Sequence, residues 1–391
     1  MRIKFSILFL FVALKLSAQE KNPVPIQQSI TSNIYRPVTV EFNNERLKQL
    51  SVPAGFKIEV FATGVGNPRM MKVMPDGRVY VTDRDNGRLY LLRDNNKDGR
   101  ADRVDTLMEM EHTHGVDYFN GKLYIVTEKH VYAAELKSDG KLGKTIPIIS
   151  DLPDAGQHHN RTLKIGPDTM MYISVGSTCN SCLETNNEAA TMLIAKPDGT
   201  GRRIYSKGLR NTIGFDWHPG TRQLWGWDNG TDHLGDDEGR EELNQLKDGG
   251  NYGWPFIYEK GKFVMHHEPR ELTHEQYAAK TLFPDLLYDA HAASMDFIFY
   301  TGNTFPASYT NSGFVAMRGS WNRKQLSGSE VLHVRFDKNG KPTSIEKFLT
   351  GFIVGQGTAR FGRPVGLAQY IDGSLLVTDD VNGIIYRISY K

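Results

Sequence analysis

The chain contains 391 residues, and its 47 Lys and Arg nearly balance its 45 Asp and Glu, for a formal net charge of +2. Because no basic block or aromatic-basic stripe accompanies this balance, the composition argues against a nucleic-acid partner. The two cysteines are too few to form a disulfide scaffold. The length suits one large β domain or two ordinary domains, so the repeats must decide between them.

The first 18 residues have the pattern of a secretory signal peptide. Arg2 and Lys4 precede an apolar run at residues 5–14, and the small residues Ser17 and Ala18 follow it. The apolar run is too short to span a bilayer, and no second hydrophobic segment appears. We therefore predict an exported protein, periplasmic or secreted, that has no membrane span and is cleaved after Ala18.

A repeated pattern fills the rest of the chain. Residues 19–51 are polar and aperiodic, whereas in residues 52–391 a turn rich in Gly, Asn, Asp or Pro repeatedly precedes a short apolar strand. Six copies of this strand are found, at residues 79–82, 123–127, 171–175, 223–227, 314–317 and 375–378. Six such units with few helical stretches predict an all-β fold, a six-bladed β-propeller of four-stranded antiparallel blades.

Two further segments have predicted places in this propeller. Residues 57–62 form a strand that we expect in the last blade, because this pairing would close the ring and leave no open edge. Residues 258–287 interrupt the repeat and contain one helix-like segment, at residues 271–280. We predict that this insert is a surface lid or flanks the entrance.

The most specific motifs lie at residues 208–255, where GLRN, GFDWHP, WDNG, an acidic loop, EELN and GGNYGWP follow one another. This series resembles the glucose/sorbosone dehydrogenase family, the soluble pyrroloquinoline quinone (PQQ) dehydrogenases built on a six-bladed β-propeller. The resemblance extends over about residues 56–389 and is nearer to the sorbosone branch than to the soluble glucose branch. It implies PQQ and calcium as cofactors.

One histidine-rich loop holds the predicted catalytic base. A neutral histidine at the mouth of a propeller can accept the proton of an alcohol that loses hydride. Aligning residues 163–168, Leu-x-Ile-Gly-Pro-Asp, with the family pattern implies that His158 is this base and that Gln157 lies beside the cofactor. The alternatives are His159, one residue along, and a purely structural histidine. Ser177 stands where the glucose branch has an aspartate, so either another carboxylate orients the base or the base is weaker.

Arg210 and Asn211 precede an apolar strand, so their side chains are expected at a strand end. The resemblance implies that both residues lie beside the reactive quinone carbonyl, where a guanidinium stabilises the oxyanion. A structural arginine that caps the strand is the alternative. The resemblance also implies that the backbone carbonyls of Gly230 and Thr231 bind calcium, although Thr231 replaces a proline of the glucose branch.

Further positive charge is needed to bind a quinone that carries three carboxylates. Arg318 and Arg363 are the best candidates, with Arg323 behind them, because arginine binds planar carboxylates through two parallel hydrogen bonds. His114 and His291 resemble sorbosone-branch positions that line the same central face. For both histidines, a hydrogen-bonded place in the core is the alternative.

A second calcium site, structural in role, is predicted at residues 94–105. Oxygen-bearing side chains occupy positions one, three, five, nine and twelve of a calcium loop with glycine at position six, namely Asp94, Asn96, Asp98, Asp102 and Asp105. An ordinary acidic turn between two strands is the alternative. Cys179 and Cys182, in an exported chain, are predicted to form a local disulfide.

These observations favour a calcium-assisted PQQ dehydrogenase that oxidises a sugar or a sugar aldehyde and passes its electrons to an external acceptor. A metal-dependent hydrolase of the lactonase type is the first alternative, and a propeller that only binds glycan or protein is the second. The cationic side chains of Arg210, Arg318 and Arg363 favour the dehydrogenase, because a lactonase needs carboxylates around an axial metal.

Overall fold

The computed structural model describes residues 32–154 and 156–391; the predicted signal peptide lies outside the described residues. Six antiparallel sheets form the six blades of a propeller, which confirms the predicted fold. Blade 1 consists of Pro68–Val73, Val79–Asp83, Arg88–Arg93 and Arg103–Glu109. Blade 2 consists of Gly115–Phe119, Lys122–Val126, Val131–Leu136 and Leu142–Ile149. Blade 3 consists of Leu163–Ile165, Met171–Val175, Thr191–Ala195 and Arg203–Lys207.

The second half of the chain forms the other three blades. Blade 4 consists of Thr212–Trp217, Leu224–Asp228, Glu241–Leu246 and Leu286–Tyr288. Blade 5 consists of Ser294–Phe299, Gly313–Met317, Glu330–Phe336 and Pro342–Leu349. Blade 6 consists of Pro364–Gln369, Leu375–Asp379, Ile384–Tyr390 and Phe56–Ala62.

All six predicted repeat strands are the second strands of their blades, the strands buried between the first and third. Burial on both faces explains their apolar runs. Phe56–Ala62 pairs with Ile384–Tyr390 in antiparallel register, so the N-terminal strand closes the ring as predicted. The first strands contact one another from blade to blade around the axis, and blades 3 and 4 also meet through Met171–Val175.

The insert between the third and fourth strands of blade 4 differs from its prediction. It forms the hairpin of Ile257–Tyr258 with Lys262–Phe263 and the helix His274–Ala278, which Thr273 caps. This helix is shorter than the predicted residues 271–280. The chain then returns as Leu286–Tyr288 to pair with Glu241–Leu246, so the stretch expected to interrupt the repeat completes a blade instead.

The segment before the first blade strand is also ordered against the propeller. Val38–Thr39 pairs in parallel with Ala359–Arg360, which pairs in turn with Ile353–Val354. A helix follows at Asn44–Gln49, capped by the side chain of Asn43. The remaining short elements are the two-residue strand Gly250–Asn251 beside blade 3 and the 3-10 turns Ala307–Tyr309 and Gly355–Gly357.

The direction of the strands determines at which end of the axis each loop lies. We call the end where the six first strands begin the N end, and the opposite end the C end. Because neighbouring strands alternate in direction, the loops between second and third strands also lie at the N end. The turns between third and fourth strands lie at the C end. Among the described residues, no helix is long and apolar enough to cross a membrane.

Candidate active site at the N end of the axis

A cationic or imidazole side chain lies within three residues of the start of every first strand. From blade 1 to blade 6 these residues are Arg69, His114, Arg161, Arg210, His291 and Arg363. The equivalent position in each blade brings all six to the N end of the axis. The loops between second and third strands add acidic and amide groups at the same end.

His158 has the geometry of a neutral base. Its Nδ1 lies 2.9 Å from the carbonyl oxygen of Ser177 and 2.8 Å from the Ser177 hydroxyl. Since a carbonyl can only accept, Nδ1 carries the ring proton and Nε2 keeps its lone pair. Burial, followed by the nearby charge of Arg210, lowers the pKa of His158 to about 3. The ring is therefore unprotonated at neutral pH, and no described residue hydrogen-bonds to Nε2.

Gly176 and Ser177 explain how the base is held without the aspartate of the glucose branch. Ser177 orients the ring through its neutral oxygens, and its hydroxyl donates to the carbonyl of Cys179 at 2.7 Å. A Cβ atom at Gly176 would lie 2.6 Å from the Cβ of His158 and 2.8 Å from Oδ1 of Asn211. Only glycine therefore permits His158 and Asn211 to approach this closely.

Gln157 and His159, the residues on either side of His158, do not share its environment. Gln157 is exposed, and its backbone N–H donates to the carbonyl of Thr178 at 2.8 Å. The Nε2 atom of His159, the alternative base, contacts the guanidinium of Arg84. The contact leaves His159 without a free acceptor nitrogen on that side, so the geometry favours His158 as the proton acceptor.

Arg210 is buried, with 3% of its surface exposed, and lies in a dense polar network. Its Nε donates to the carbonyl of Asn180 at 2.9 Å, and its Nη1 donates to the carbonyl of Asn229 at 3.3 Å. Its Nη2 donates to Asn180 Oδ1 at 2.7 Å and to Asp232 Oδ2 at 2.8 Å. All three guanidinium nitrogens are thus engaged by the protein. Arg210 acts on its surroundings through its charge and its fixed position.

Of the two histidines expected to line the central face, His291 has polar contacts at both ring nitrogens, whereas the buried Nε2 of His114 has no hydrogen-bond partner among the described residues. His291 is bonded through Nε2 to the carbonyl of Gly235 at 2.8 Å, and its Nδ1 lies 3.2 Å from Nδ2 of Asn322. His114 is completely buried, and its Nδ1 donates to the carbonyl of Arg161 at 3.0 Å. Burial holds the pKa of His114 well below its ordinary value. Their alternative reading, as hydrogen-bonded histidines of the core, fits this geometry.

Four arginines surround one buried carboxylate, Asp380, and we call this group the arginine cluster. It consists of Asp380 with Arg69, Arg318, Arg360 and Arg363. Arg318 reaches Asp380 Oδ2 through Nε at 2.9 Å and Nη2 at 2.8 Å, and Arg363 reaches Oδ1 through Nε at 2.8 Å. Arg69 Nη1 lies 3.5 Å from Oδ2, which is ion-pair distance without a hydrogen bond.

The arginine cluster holds an excess of positive charge. Burial opposes ionisation of Asp380, yet Arg69, Arg318 and Arg363 together lower its pKa. Burial also lowers the pKa of Arg69 and of Arg360 to about 10, which leaves both guanidiniums charged at neutral pH. Even with the neighbouring Asp379 counted as ionised, four cations face two anions. Buried N–H groups of Arg69 and Arg360 have no hydrogen-bond acceptor among the described residues.

The loop after the second strand of blade 4 carries the predicted calcium ligands. The carbonyls of Gly230 and Thr231 accept no hydrogen bond from the described residues, so both are free to bind a cation. An added Cβ at Gly230 would overlap the carbonyl oxygen of Gly239, because the loop folds tightly on itself. In the sequence, Gly230 and Thr231 lie between two residues that bind Arg210. Arg210 donates to the carbonyl of Asn229 on one side and to the carboxylate of Asp232 on the other.

The second predicted calcium site is far from this end. The loop between Arg88–Arg93 and Arg103–Glu109 lies at the C end, and its side-chain oxygens accept hydrogen bonds from backbone N–H groups of the loop itself. These bonds involve Asp94, Asn96, Asp98 and Asp102. Asp105, predicted as the last ligand, instead lies in the fourth strand of blade 1. Its carboxylate is bound by Arg93 and Arg103, so it does not complete the loop.

Among the described residues, one group of three His, Cys, Asp or Glu side chains lies within 4.8 Å, that of Cys179, Cys182 and Glu184. The two cysteines form the predicted disulfide. The described side chains therefore do not converge as a carboxylate-lined metal centre.

Several residues of this end were missed by the sequence analysis. They are Arg69, Arg360, Asp380, Asn180 and Asn322. Arg69 could have been found by aligning the six strand starts with one another, because Arg210 and Arg363 hold equivalent positions. Asp380 and Asn180 had no such signal, since most of their partners lie thirty or more residues away in the sequence.

Comparisons with known proteins agree with this architecture. The family model for glucose/sorbosone dehydrogenase matches residues 122–387. An uncharacterized protein of Borreliella burgdorferi is 28% identical over 360 residues, which cover 88% of this chain and 91% of that protein. A pyrroloquinoline quinone-dependent sugar dehydrogenase of Hypocrea jecorina is 23% identical, with 86% of this chain and 90% of that protein covered.

A solved structure shows the same fold. The holo PQQ domain of pyranose dehydrogenase from Coprinopsis cinerea superposes with a TM-score of 0.75 at 20% identity, over 91% of this chain and 100% of that chain. Because the family model matches well over half of its residues, the chain belongs to the glucose/sorbosone dehydrogenase family.

Proposed function

We propose that the protein is an exported, calcium-assisted PQQ-dependent dehydrogenase that oxidises a sugar or a sugar aldehyde. The observation that carries this proposal is the pairing, at one end of the axis, of an unprotonated His158 Nε2 with the arginine cluster. A base and an anion-binding surface are what alcohol oxidation by a carboxylated quinone requires. The PQQ-dependent relative in Hypocrea jecorina supports the same function.

The arginine cluster fits the charge of PQQ, which carries three carboxylates. Arg318 and Arg363 are half-buried, and each keeps N–H groups that Asp380 does not use. Buried N–H groups of Arg69 and Arg360 have no hydrogen-bond acceptor among the described residues, and this also favours a bound anion. Guanidinium groups bind carboxylates through two parallel charge-assisted hydrogen bonds. We infer that Arg318, Arg360 and Arg363 would hold the carboxylates.

The protein's own residues would supply proton transfer and electrostatic stabilisation. PQQ, when bound, supplies the acceptor for the hydride that leaves the substrate carbon. His158 would take the hydroxyl proton at Nε2, while Ser177 keeps the proton on Nδ1. Arg210, fixed beside Asp232, would supply positive charge where negative charge develops. The free carbonyls of Gly230 and Thr231 would bind calcium, a cation that prefers oxygen ligands.

The disulfide supports the predicted export. Disulfides persist in oxidising compartments such as the periplasm and the exterior, and Cys179 is bonded to Cys182. An external acceptor would receive the two electrons, because Cys182 is followed by Leu183 and the chain has no Cys-x-x-Cys-His haem motif. The lactonase alternative has less support, since among the described residues no three carboxylate or imidazole side chains bring their ligand atoms within 4.8 Å of one another.

Adding PQQ and calcium to the purified protein, and recording the visible spectrum before and after an aldose, tests this function. We expect a bound-quinone spectrum that changes to the reduced form. Arg318→Met should weaken PQQ binding by about 10-fold or more, because it removes a charge-assisted hydrogen bond. Arg335→Met is the matched control, since Arg335 pairs with Glu346 on the surface of blade 5. Absence of quinone binding by the wild-type protein would refute the proposal.

A further inference from the structure

The loop between the second and third strands of blade 3 contains a short turn closed by the Cys179–Cys182 disulfide. Asn180 lies inside this turn. The turn is close to both predicted catalytic residues, although neither cysteine contacts them. Asn180 is therefore a candidate link between the two.

Asn180 binds Arg210 and Asp232 at the same time. Its carbonyl oxygen accepts from Arg210 Nε at 2.9 Å, and its Oδ1 accepts from Arg210 Nη2 at 2.7 Å. The same Oδ1 accepts from the backbone N–H of Asp232 at 2.8 Å, and its Nδ2 donates to the Asp232 carbonyl at 3.0 Å. Asn180 thus fixes both the guanidinium and the loop that carries its counterion.

An amide suits this place because it offers an acceptor and a donor on one planar group. Oδ1 uses both of its lone pairs, one for Arg210 and one for Asp232. A carboxylate would keep the acceptor and lose the donor, and an alanine would lose both. These differences give a graded series of variants.

The same turn also reaches the base. The Ser177 hydroxyl, which contacts His158 Nδ1, donates to the carbonyl of Cys179, the residue next to Asn180. On the outer side, His267 Nε2 donates to the carbonyl of Ser181 at 3.0 Å, which ties the turn to the blade 4 insert. The turn is therefore held at several points while it contacts Arg210 directly and His158 through the Ser177 hydroxyl.

We propose that Asn180 is a positioning residue that holds the Arg210 guanidinium against Asp232 in the orientation required for the reaction at His158. This inference rests on the proposed dehydrogenase function. According to this inference, the disulfide-closed turn keeps Arg210 and His158 in fixed positions relative to each other.

A double-mutant cycle tests whether Asn180 acts through Arg210. Asn180→Ala should lower kcat by about 10-fold, because a hydrogen bond to a charged group is lost, with a smaller change in KM. In an Arg210→Lys background, Asn180→Ala should lower kcat little further, since lysine lacks the second nitrogen that Asn180 binds. Equal losses in both backgrounds, or no loss in either, would overturn the proposal.

Two variants complete this test. Asn180→Asp keeps the acceptor for Arg210 and should retain more activity than Asn180→Ala; loss as large as that of Asn180→Ala contradicts the proposal. If Asn180→Ala does not fold, the activity of Asn180→Asp relative to the wild type decides alone. Asn186→Ala is the control, because Asn186 is exposed in the same loop and bonds only within its own turn; its kcat should equal that of the wild type.

The same cycle measured on the ligand-free protein separates this inference from the proposed function. The contacts of Asn180 exist without cofactor, so the unfolding free energies of the four proteins in urea should also be non-additive. If the wild type binds no PQQ, the dehydrogenase function fails, yet the unfolding cycle still shows whether Asn180 holds Arg210. Additive unfolding free energies would refute the positioning role itself.

Discussion

Both ends of the propeller axis carry charged side chains but use them differently. Toward the C end, Lys72 pairs with Asp117 at 2.5 Å and Lys164 pairs with Asp296 at 3.4 Å. These groups line a cavity of about 290 Å³. At the N end, the arginine cluster surrounds Asp380 with more positive than negative charge.

The carboxylates toward the C end join neighbouring blades. Asp117 of blade 2 accepts from the backbone N–H of Ile165 in blade 3 at 2.7 Å. Asp296 of blade 5 accepts from Leu367 of blade 6 at 3.0 Å, and Asp216 of blade 4 accepts from Phe299 of blade 5 at 2.8 Å.

The two ends therefore differ in whether their buried polar groups have hydrogen-bond partners. Charges toward the C end have partners and stabilise the ring, whereas buried N–H groups of Arg69 and Arg360 at the N end have none among the described residues. Buried unpaired polar groups are costly to a fold, and a bound ligand or water is one way to satisfy those of Arg69 and Arg360.

The largest expected effect is at the base. His158→Gln should lower kcat by about 10²–10⁴-fold, because general-base catalysis is lost while the ring's volume is roughly kept. Steady-state kinetics with the PQQ-loaded protein measures this. His159→Gln, one residue along, should leave kcat near the wild-type value. A large loss in His159→Gln with little loss in His158→Gln would reverse the assignment of the base.

Toward the C end, the expected effect is on stability. Asp296→Asn removes the carboxylate that pairs with Lys164, while Asp216 and Asp117 remain nearby, and should lower the free energy of unfolding by about 1–3 kcal/mol. Urea unfolding measures it, and PQQ affinity should be unchanged. Glu346→Gln breaks an exposed pair with Arg335 and should cost less than about 1 kcal/mol. Lost quinone binding in a folded Asp296→Asn protein would contradict the division between the ends.

A smaller effect is expected at Gly176. Gly176→Ala places a methyl group against His158 and Asn211, and a displacement of about 1 Å can cost up to about 10²-fold in kcat. The thermal midpoint should change less than kcat does. Gly220→Ala serves as control, because its added Cβ would have ordinary contacts of 3.4 Å or more. Wild-type kcat in Gly176→Ala would show that the base tolerates movement.

The smallest effect is a decline of stability in acid. Burial lowers the pKa of His158 to about 3 and that of His333 to about 4, and it also lowers that of His114, against an ordinary 6.5. Below pH 6.5 the unfolded chain binds protons that the folded chain refuses, so stability falls as pH decreases.

Each pKa unit corresponds to about 1.4 kcal/mol, so His333, whose pKa is lowered to about 4, should contribute a fall of at least about that amount in the free energy of unfolding between pH 6.5 and pH 4. The buried carboxyls of Asp228 and Glu241, whose pKa values are raised to about 6 and about 8, contribute in the opposite direction. Urea titrations at several pH values measure this decline, and His333→Phe should reduce it. The same pH dependence in the wild type and in His333→Phe would contradict the burial of His333 as a neutral ring.

Much of the fold could be predicted because it repeats. The second strand of every blade is buried on both faces, so its apolar run follows a turn signal in each of six copies. The insert of blade 4 was harder to place, because Leu286–Tyr288 is a short, half-buried edge strand with no such signal. Edge strands lack the apolar run that burial on both faces imposes.

The candidate site could be predicted only in part. His158, Arg318 and Arg363 were found because they lie in motifs or beside strand starts, and the structure brings them to one end. The roles of His291 and Arg210 depended on partners, Gly235 and Asp232, that no local pattern indicates. The dehydrogenase function itself stays a proposal that the quinone spectrum tests.

The sequence by itself determined the propeller, its closure by Phe56–Ala62 and the disulfide. These features follow from local patterns, because strand burial, turn chemistry and cysteine spacing are encoded by neighbouring residues. Only the tertiary structure decided which charges remain unsatisfied. Asp380 neutralises part of an arginine cluster drawn from blades 1, 5 and 6, and such long-range pairing depends on the closed ring.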